Sequence, residues 1–200
     1  MNAPRLGAKV YIMSKYNLSK LLLYADIYHI TFLTVVPVIV NMMAGRPDSA
    51  RYNLKAVENV ICGSAPLNPE LAKKVSALYL RDGVGIMQGL GMTESTCSLV
   101  QFAPDDEHDG RSVGWLNANC KAQIQPVPGE DFTGSAPQGV AVGELWVSGP
   151  NIMKGYYKRP KQTQESIHRD TNGVRWLRTG DIGYVNDKGH FYLVDRMKVY

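Results

Sequence analysis

Hydrophobic and polar positions in the first half of the chain alternate between strand-like and helix-like patterns. Short apolar runs predict strands at 8–13, 31–36, 56–65 and 84–88. Between them lie segments with helical spacing. The first such segment, capped by Asn17, is predicted to bury Leu18, Leu21, Ala25 and Tyr28 on one face. Alternating strands and helices predict an α/β lobe with a largely parallel sheet.

Two further helix starts are marked by proline. Pro37 follows a predicted strand and suits the first position of a helix. Asn68 and Pro69 form a second cap-and-start pair. The apolar stripe predicted for that helix consists of Leu71, Val75, Leu78 and Tyr79.

The pattern changes after about Pro104, where Asp105 to Asp109 are predicted to form a solvated acidic turn. Short alternating segments at 121–127, 143–149 and 183–194 then predict β-strands. A hairpin loop is expected at 186–189, with Gly189 at a positive φ, and one short helix at about 160–167. The predicted organisation is an α/β lobe (1–104) followed by a β-rich lobe (105–196).

Composition is that of an ordinary globular protein, since 44% of the 200 residues are hydrophobic and 20% are charged. The net charge of +4 comes without a basic run, so no nucleic-acid partner is expected. Three cysteines without a Cys-x-x-Cys pair favour a reduced intracellular compartment. The four histidines have no metal-ligand spacing, and the apolar stretch 30–44 is too short to span a bilayer.

Two small-residue loops follow predicted strands, where ligands gather in α/β sheets. They are "GSAP" at 63–66 and "GLGMTE" at 89–94. Thr93 suits a hydrogen bond to a phosphate oxygen, and Glu94 suits Mg²⁺, a hard cation that carboxylate and phosphate oxygens share. The alternative is a strand-to-helix turn that Thr93 caps, and this loop alone favours that alternative.

A second pair of motifs lies near the end of the chain. Asp181, in "TGD", suits the vicinal hydroxyls of a ribose, and Arg196 offers a fixed fork of donors. The alternatives are that Asp181 caps a turn and that Arg196 pairs with Asp195 on the surface. Each motif by itself is a weak signal.

The order of the motifs is more specific than any one of them. "GSAPL", "QGLGMTE", "GELWVSGPNIMKGYY", "WLRTGDIGY" and "LVDRMK" occur in the succession found in adenylate-forming enzymes. Over essentially its whole length the chain resembles the acyl-CoA synthetase branch, and most of all the 4-coumarate-CoA ligase-like proteins. The resemblance implies that this chain forms the later part of the large N-terminal domain of such an enzyme. It also implies a ligase that uses ATP with Mg²⁺ to adenylate a carboxylic acid and then transfers the acyl group to coenzyme A.

The resemblance also implies roles for individual residues. Thr93 and Glu94 would be catalytic, with Glu94 holding the metal. Nucleotide contacts would come from Ser64, Gln88, Gly89, Leu90, Thr93, Asp181 and Arg196. The acyl pocket would be lined by Ile61, Ser64, Gly89, Gly91, Cys97 and Ser98. Leu90 replaces the aromatic residue that the family usually has, so it is expected to cover adenine less well.

The family's phosphate loop does not occur within these 200 residues, and Lys198 matches the hinge before the C-terminal domain. Residues 197–200 would therefore begin the hinge, and the chain alone is expected to be inactive. Two alternatives stay open, a catalytically inactive truncated gene product and an adenylation domain of a peptide synthetase. Met92 favours the CoA branch over the latter. The expected compartment is cytoplasmic or peroxisomal, and the sequence does not name the acid.

Overall fold

The computed structural model describes residues 3–46, 48, 51–103, 106–130, 132, 134 and 136–197. Its first half is built on a parallel sheet of β1 (Phe32–Val35), β2 (Asn59–Cys62) and β3 (Ile86–Gln88), in the order β1-β2-β3. Three helices accompany this sheet: α1 (Leu18–Ile27), α2 (Pro37–Ala44) and α3 (Pro69–Tyr79). The predicted α/β class is confirmed.

The predicted helix starts are confirmed by their capping geometry. The Asn17 side chain accepts a hydrogen bond from the Lys20 amide, which satisfies one of the free donors at the start of α1. Asn68 caps α3 in the same way, and Pro37 and Pro69 occupy the first turns of α2 and α3.

The buried faces of the helices differ in part from the predicted stripes. In α1, Leu22 is fully buried, whereas Tyr28 ends the helix and is 47% exposed. In α3, Val75 and Tyr79 are buried as predicted, but Leu78 is 41% exposed. Spacing identifies the period of a helix, whereas the sheet that it packs against selects the residues that become buried.

The strand predicted at 8–13 is wrong, since this segment has no regular secondary structure. Val10 and Ile12 are 55% and 88% exposed, and Tyr11 stacks on Tyr28 at a ring-centroid distance of 4.6 Å. A strand needs a neighbour for its backbone hydrogen bonds, and the described strands provide none to this segment.

The second half forms two antiparallel sheets. The strands of the larger sheet are β7 (Lys121–Gln125), β8 (Gly143–Ser148), β9 (Ile167–Arg169), β10 (Arg175–Val185) and β11 (Phe191–Arg196). They are arranged in the order β11-β10-β8-β7, and β9 is also paired to β10. The smaller consists of β4 (Leu90–Met92), β5 (Cys97–Gln101) and β6 (Trp115–Leu116). The short helix α4 spans Pro160–Ser166, and Gly189 has φ +85° in the predicted hairpin loop.

The described residues form two hydrophobic cores. The first is formed by α1–α3 and β1–β3 and includes Leu22, Val40 and Val75. In the second, Leu90 packs in one cluster with Leu145 and others from the larger sheet. The smaller sheet therefore belongs by its packing to the β-rich part, although two of its strands, β4 and β5, lie before residue 104. The lobe boundary at residue 104 stays a prediction.

The predicted acidic turn is only partly solvated, and Asp105 lies outside the described residues. The Asp109 carboxylate accepts hydrogen bonds from the Arg111 and Ser112 amides and from the Tyr192 hydroxyl. These bonds hold the pKa of Asp109 below its ordinary value against the opposing effect of burial. Among the helices of the described residues, none is long and apolar enough to cross a membrane.

Candidate functional site

The two small-residue loops leave the same edge of the parallel sheet, as the sequence predicted. Cys62 and Gln88 are paired neighbours at the carboxyl ends of β2 and β3. The chain then continues into the "GSAP" and "GLGMTE" loops, and the Gly89 amide donates a hydrogen bond to the Cys62 carbonyl at 3.3 Å. Carboxyl ends of parallel strands are the usual ligand edge of such sheets.

Gln88 holds these two loops in place. Its side chain is buried, and its Oε1 accepts a hydrogen bond from the Leu67 amide at 2.7 Å. Its Nε2 donates to the Gly110 carbonyl at 2.9 Å. Both ends of the amide are bonded to backbone, which gives Gln88 a positioning role for the two loops. Its contact with the adenylate stays a prediction.

Ser64 occupies a strained conformation in the first loop. Its φ is +79°, in the left-handed region that non-glycine residues seldom adopt, and the residue is exposed. Such conformations cost of order 1–3 kcal/mol and occur more often at ligand sites than elsewhere. The strain is consistent with the predicted nucleotide and acyl-pocket roles of Ser64.

The "GLGMTE" segment forms a β-hairpin, and a strand-to-helix turn is ruled out. Strand β4 leads into a 3₁₀ turn at Thr93–Ser95, Thr96 follows with φ +53°, and β5 begins directly. The turn is capped at Met92, whose amide bonds the Ser95 hydroxyl. Thr93 is exposed on this turn, so its hydroxyl is accessible to a ligand.

Leu90 is placed in the second core, where it is 9% exposed. Its side chain packs with the larger sheet, so it offers little surface to a base. The weak cover of adenine expected from Leu90 stays a prediction. Placing an apolar side chain in a core is favoured by burial, at roughly 25 cal/mol per Å² of apolar surface.

Glu94 is anchored at both its backbone and its side chain. Its carbonyl accepts a hydrogen bond from the Met153 amide at 2.7 Å, and its Oε1 accepts one from the Tyr156 hydroxyl at 2.8 Å. Burial, together with this bond to Glu94, raises the pKa of Tyr156. No cluster of three metal-ligating side chains occurs among the described residues. A single fixed carboxylate nevertheless fits Mg²⁺, which proteins commonly hold through one or two carboxylates and substrate phosphates.

The residues predicted for the acyl pocket fall into two groups. Gly91 and Ser98 are paired across the β4–β5 hairpin, and Cys97 is exposed beside them. The other group lies on β2 and on the loops that follow β2 and β3, and consists of Ile61, Ser64 and Gly89. Their lining of an acyl pocket stays a prediction.

Asp181 is a buried carboxylate on the larger sheet. It is 6% exposed, it lies on β10, and its register partner on β11 is Arg196. Its Oδ1 lies 3.7 Å from the Arg196 Nη1, and its Oδ2 is buried with no hydrogen-bond partner. Burial raises the pKa of Asp181, Arg196 opposes this, and Glu144 adds to it. Arg196 points toward Asp181, which disfavours the surface pairing of its guanidinium with Asp195.

Three supporting residues were not assigned from the sequence, although all lie inside motifs quoted above. The buried Glu144 carboxylate accepts hydrogen bonds from the Gly180 amide, the Trp146 indole and Arg178. It therefore fixes the backbone just before Asp181. Asn151 donates to the carbonyls of Ser95 and Ser98, and Tyr156 holds Glu94.

Lys198, the predicted hinge residue, lies outside the described residues. The described site is therefore two sets of contacts. One joins the strand-end loops to the hairpin through Gln88 and Glu94, and the other is the Asp181–Arg196 pair on the larger sheet. Two loops at a sheet edge, and a buried carboxylate with one oxygen that has no hydrogen-bond partner, agree with the adenylate-forming class that the order of the motifs indicates.

Comparison with known proteins identifies the family. The AMP-binding enzyme family matches residues 1–157, and the chain belongs to it. The 4-coumarate–CoA ligase-like 4 protein of Oryza sativa subsp. japonica is 35% identical over 195 residues, covering 96% of this chain and 33% of that protein. The peroxisomal OPC-8:0-CoA ligase 1 of Arabidopsis thaliana is 34% identical over 198 residues, covering 96% and 34%. The chain thus spans about a third of the curated relatives it matches.

Solved structures give the same fold. A long-chain-fatty-acid-CoA ligase from Archaeoglobus fulgidus matches with a TM-score of 0.77 at 26% identity, covering 96% of this chain and 39% of that one. The amide bond synthetase McbA from Marinactinospora thermotolerans matches with a TM-score of 0.75 at 27% identity, covering 96% and 36%. The predicted membership of the adenylate-forming enzymes is confirmed, and CoA ligases are among the relatives that the chain matches.

Proposed function

We propose that the chain forms the adenylate-binding part of an ATP-dependent carboxylic acid–CoA ligase. The whole reaction would activate a carboxylic acid as its acyl-adenylate, with release of pyrophosphate, and then pass the acyl group to coenzyme A. The support comes from CoA ligases among the relatives and from the site geometry. The lobe division at residue 104 belongs to the same proposal, with the parallel-sheet loops before it and Asp181 after it.

The observation that carries the proposal is the unpaired, buried oxygen of Asp181. Burying a carboxylate without partners is unfavourable, and a structure keeps such a group where a ligand completes it. The two vicinal hydroxyls of a ribose are donors that match the two oxygens of one carboxylate. Arg196, opposite Asp181, supplies a cation on the same side.

The hairpin turn supplies the groups proposed for the phosphate end. The exposed hydroxyl of Thr93 would donate to a phosphate oxygen, and the Glu94 carboxylate would hold Mg²⁺. When bound, that ion neutralises phosphate charge. Ser64 and the Gly89 backbone would complete the nucleotide site at the sheet edge, beside the proposed acyl-pocket residues.

The ribose contact is testable with the ligand alone. We expect AMP to bind the chain about 10- to 100-fold more tightly than its 2′,3′-dideoxy analogue, since hydrogen bonds to a charged group contribute roughly 1.5–3 kcal/mol. Isothermal titration calorimetry of both nucleotides measures the difference. Equal affinities would exclude Asp181 as the ribose ligand, and no binding of either nucleotide would contradict the proposed function.

The metal role of Glu94 has a separate test. Glu94→Gln removes the charge but keeps an oxygen that accepts the Tyr156 hydroxyl. We expect the gain in ATP affinity that Mg²⁺ brings to fall about tenfold in this variant, because a contact with a charged partner is worth roughly 1.5–3 kcal/mol. Titrations of ATP with Mg²⁺ or EDTA measure it, and AMP affinity without metal is the control. A variant that keeps the full Mg²⁺ gain would refute the assignment.

A further inference from the structure

Strand β10 carries a bulge at the "TGD" motif, which contains Asp181. Strands β10 and β8 are in register on both sides of the motif, but residues 179–181 of β10 face the single residue 145 of β8. The regular ladder of backbone hydrogen bonds is interrupted there, and Gly180 adopts φ +72°. Bulges of this kind reorient a side chain, and here they reorient that of Asp181.

Side chains replace the backbone partners that the bulge lacks. The Thr179 hydroxyl donates to the Leu145 carbonyl at 2.7 Å and accepts a hydrogen bond from the Asp181 amide at 3.0 Å. The Gly180 amide donates to Oε1 of Glu144 at 3.2 Å. Thr179 and Glu144 are both buried, so water does not compete for these bonds. Two side chains therefore hold the backbone to which the Asp181 carboxylate is attached.

The Glu144 carboxylate is itself held at its other oxygen. Its Oε2 accepts hydrogen bonds from the Trp146 indole at 2.7 Å and from Arg178 at 3.2 Å. The groups that bond the two oxygens, Gly180 included, are all donors. An amide at position 144 would turn its own donor either toward Gly180 or toward the other two groups. The observed contacts of the bulge therefore require a carboxylate at this position.

The bulge is also bonded from the side of β11. The Met197 amide donates to the Gly180 carbonyl at 2.7 Å. The backbone of the motif is thus fixed on both sides, whereas Oδ2 of Asp181 has no hydrogen-bond partner among the described residues. A group that is held in place before its ligand arrives loses less entropy when the ligand binds.

From these contacts we propose that Thr179 and Glu144 are positioning residues for the nucleotide. They act through Asp181, because the bulge that they fix directs its unpartnered oxygen toward the ribose. They thereby set how strongly the chain prefers a nucleotide with vicinal hydroxyls. The inference rests on the proposed function, in which Asp181 is the ribose ligand. Loss of either side chain should lower the affinity for AMP and leave that for 2′,3′-dideoxy-AMP unchanged, since the analogue has no hydroxyls for Asp181 to accept.

The experiment measures the ratio of the AMP affinity to the 2′,3′-dideoxy-AMP affinity by isothermal titration calorimetry. Thr179→Val keeps the shape of the side chain and removes its hydroxyl, and Glu144→Gln replaces one carboxylate oxygen with a donor. We expect the ratio to fall from about 10- to 100-fold in the parent to less than about threefold in both variants, because hydrogen bonds to a charged group depend on their geometry. Thr179→Ser keeps the hydroxyl and should retain most of the parent ratio.

Asp170→Asn is the matched control for Glu144→Gln. The Asp170 carboxylate also accepts hydrogen bonds from backbone amides and from an indole, those of Asn172, Val174 and Trp176. It lies between β9 and β10, outside the bulge. We expect this variant to keep the parent ratio even where it lowers the stability of the fold. Circular dichroism checks the folding of every variant.

Arg178→Met supplies the measurement if either test variant does not fold. The Arg178 side chain is 41% exposed, and this change removes only its donors to Oε2 of Glu144. We expect the ratio to fall at least about threefold, since a bond to a charged partner is lost.

The outcomes separate the positioning role from the ribose contact. Folded test variants that keep the parent ratio would overturn the positioning role and leave Asp181 as the ribose ligand. Equal losses of affinity for both nucleotides would overturn it as well, because they would show a purely structural role. A parent chain that binds AMP and its analogue equally well would contradict the ribose contact itself.

Discussion

Asp181→Asn should weaken AMP binding by about 10- to 100-fold while it stabilises the unliganded chain. The first effect follows from hydrogen bonds between the ribose hydroxyls and a charged group, at roughly 1.5–3 kcal/mol. The second follows from burial, because the native carboxylate has an oxygen with no partner and a raised pKa. Calorimetry with AMP measures the first effect, and thermal unfolding measures the second.

The same substitution should change the pH dependence of unfolding. The pKa of Asp181 in the folded chain is raised above its ordinary value of 3.8. The folded state therefore favours the protonated acid, so the contribution of Asp181 to stability is present below pH 3.8 and is lost as pH rises through the folded pKa. Asn does not ionise, so the variant should gain stability relative to the parent across that window.

A control on the same element separates charge from shape. Asp195→Asn changes an exposed carboxylate on β11 next to Arg196, and its Oδ1 accepts the Arg196 amide, which Asn also permits. We expect little change in AMP affinity or stability from it. If Asp181→Asn destabilises the free chain instead, the ion pair with Arg196 outweighs the cost of burial, and the assignment of Asp181 as a ligand residue is wrong.

Gly91→Ala should destabilise the chain by roughly 1–3 kcal/mol, the usual cost of forcing atoms into a packed site. A Cβ at this position would lie 2.0 Å from the Cys97 carbonyl oxygen, across the β4–β5 hairpin. Because the obstacle is backbone, the hairpin itself must shift, and Thr93 and Glu94 would move with it. Thermal unfolding measures the loss, and calorimetry with AMP is expected to show weaker binding.

Gly89 provides the matched control. A Cβ there would lie 3.4 Å from the nearest atom, the Val100 carbonyl oxygen, which is close to an ordinary contact. Gly89→Ala is therefore expected to change stability by no more than about 0.5 kcal/mol. Equal destabilisation by the two substitutions would contradict the view that close approach of the hairpin strands requires glycine at position 91.

These two glycines show how little of the local structure can be inferred from "GLGMTE" alone. The pattern permits a turn, a ligand loop or a close backbone approach, since glycine serves all three. Pairing of Gly91 with Ser98 identifies close approach as the reason at that position. The hairpin partner, β5, follows the motif directly, but its short apolar run has no period that distinguishes a strand from a helix.

Local signals were sufficient for much of the fold. Asn17, Asn68, Pro37 and Pro69 identified three helix starts, because a cap acts on backbone donors within three residues of itself. Strands β1 to β3 were predicted from short apolar runs, and the family from the order of five motifs. Such local signals do not show whether a strand has a neighbour to pair with. For this reason the strand predicted at 8–13 is wrong.

The sequence by itself determined the α/β class, the family and the sheet edge that the two small-residue loops share, because these depend on local periodicity and on motif order. Only the tertiary structure decided the states of the site residues. It bonded both ends of the Gln88 amide, buried Leu90 in the second core and left one Asp181 oxygen without a partner. Each of these depends on contacts with residues far away in the chain, and neither composition nor spacing specifies which distant groups meet.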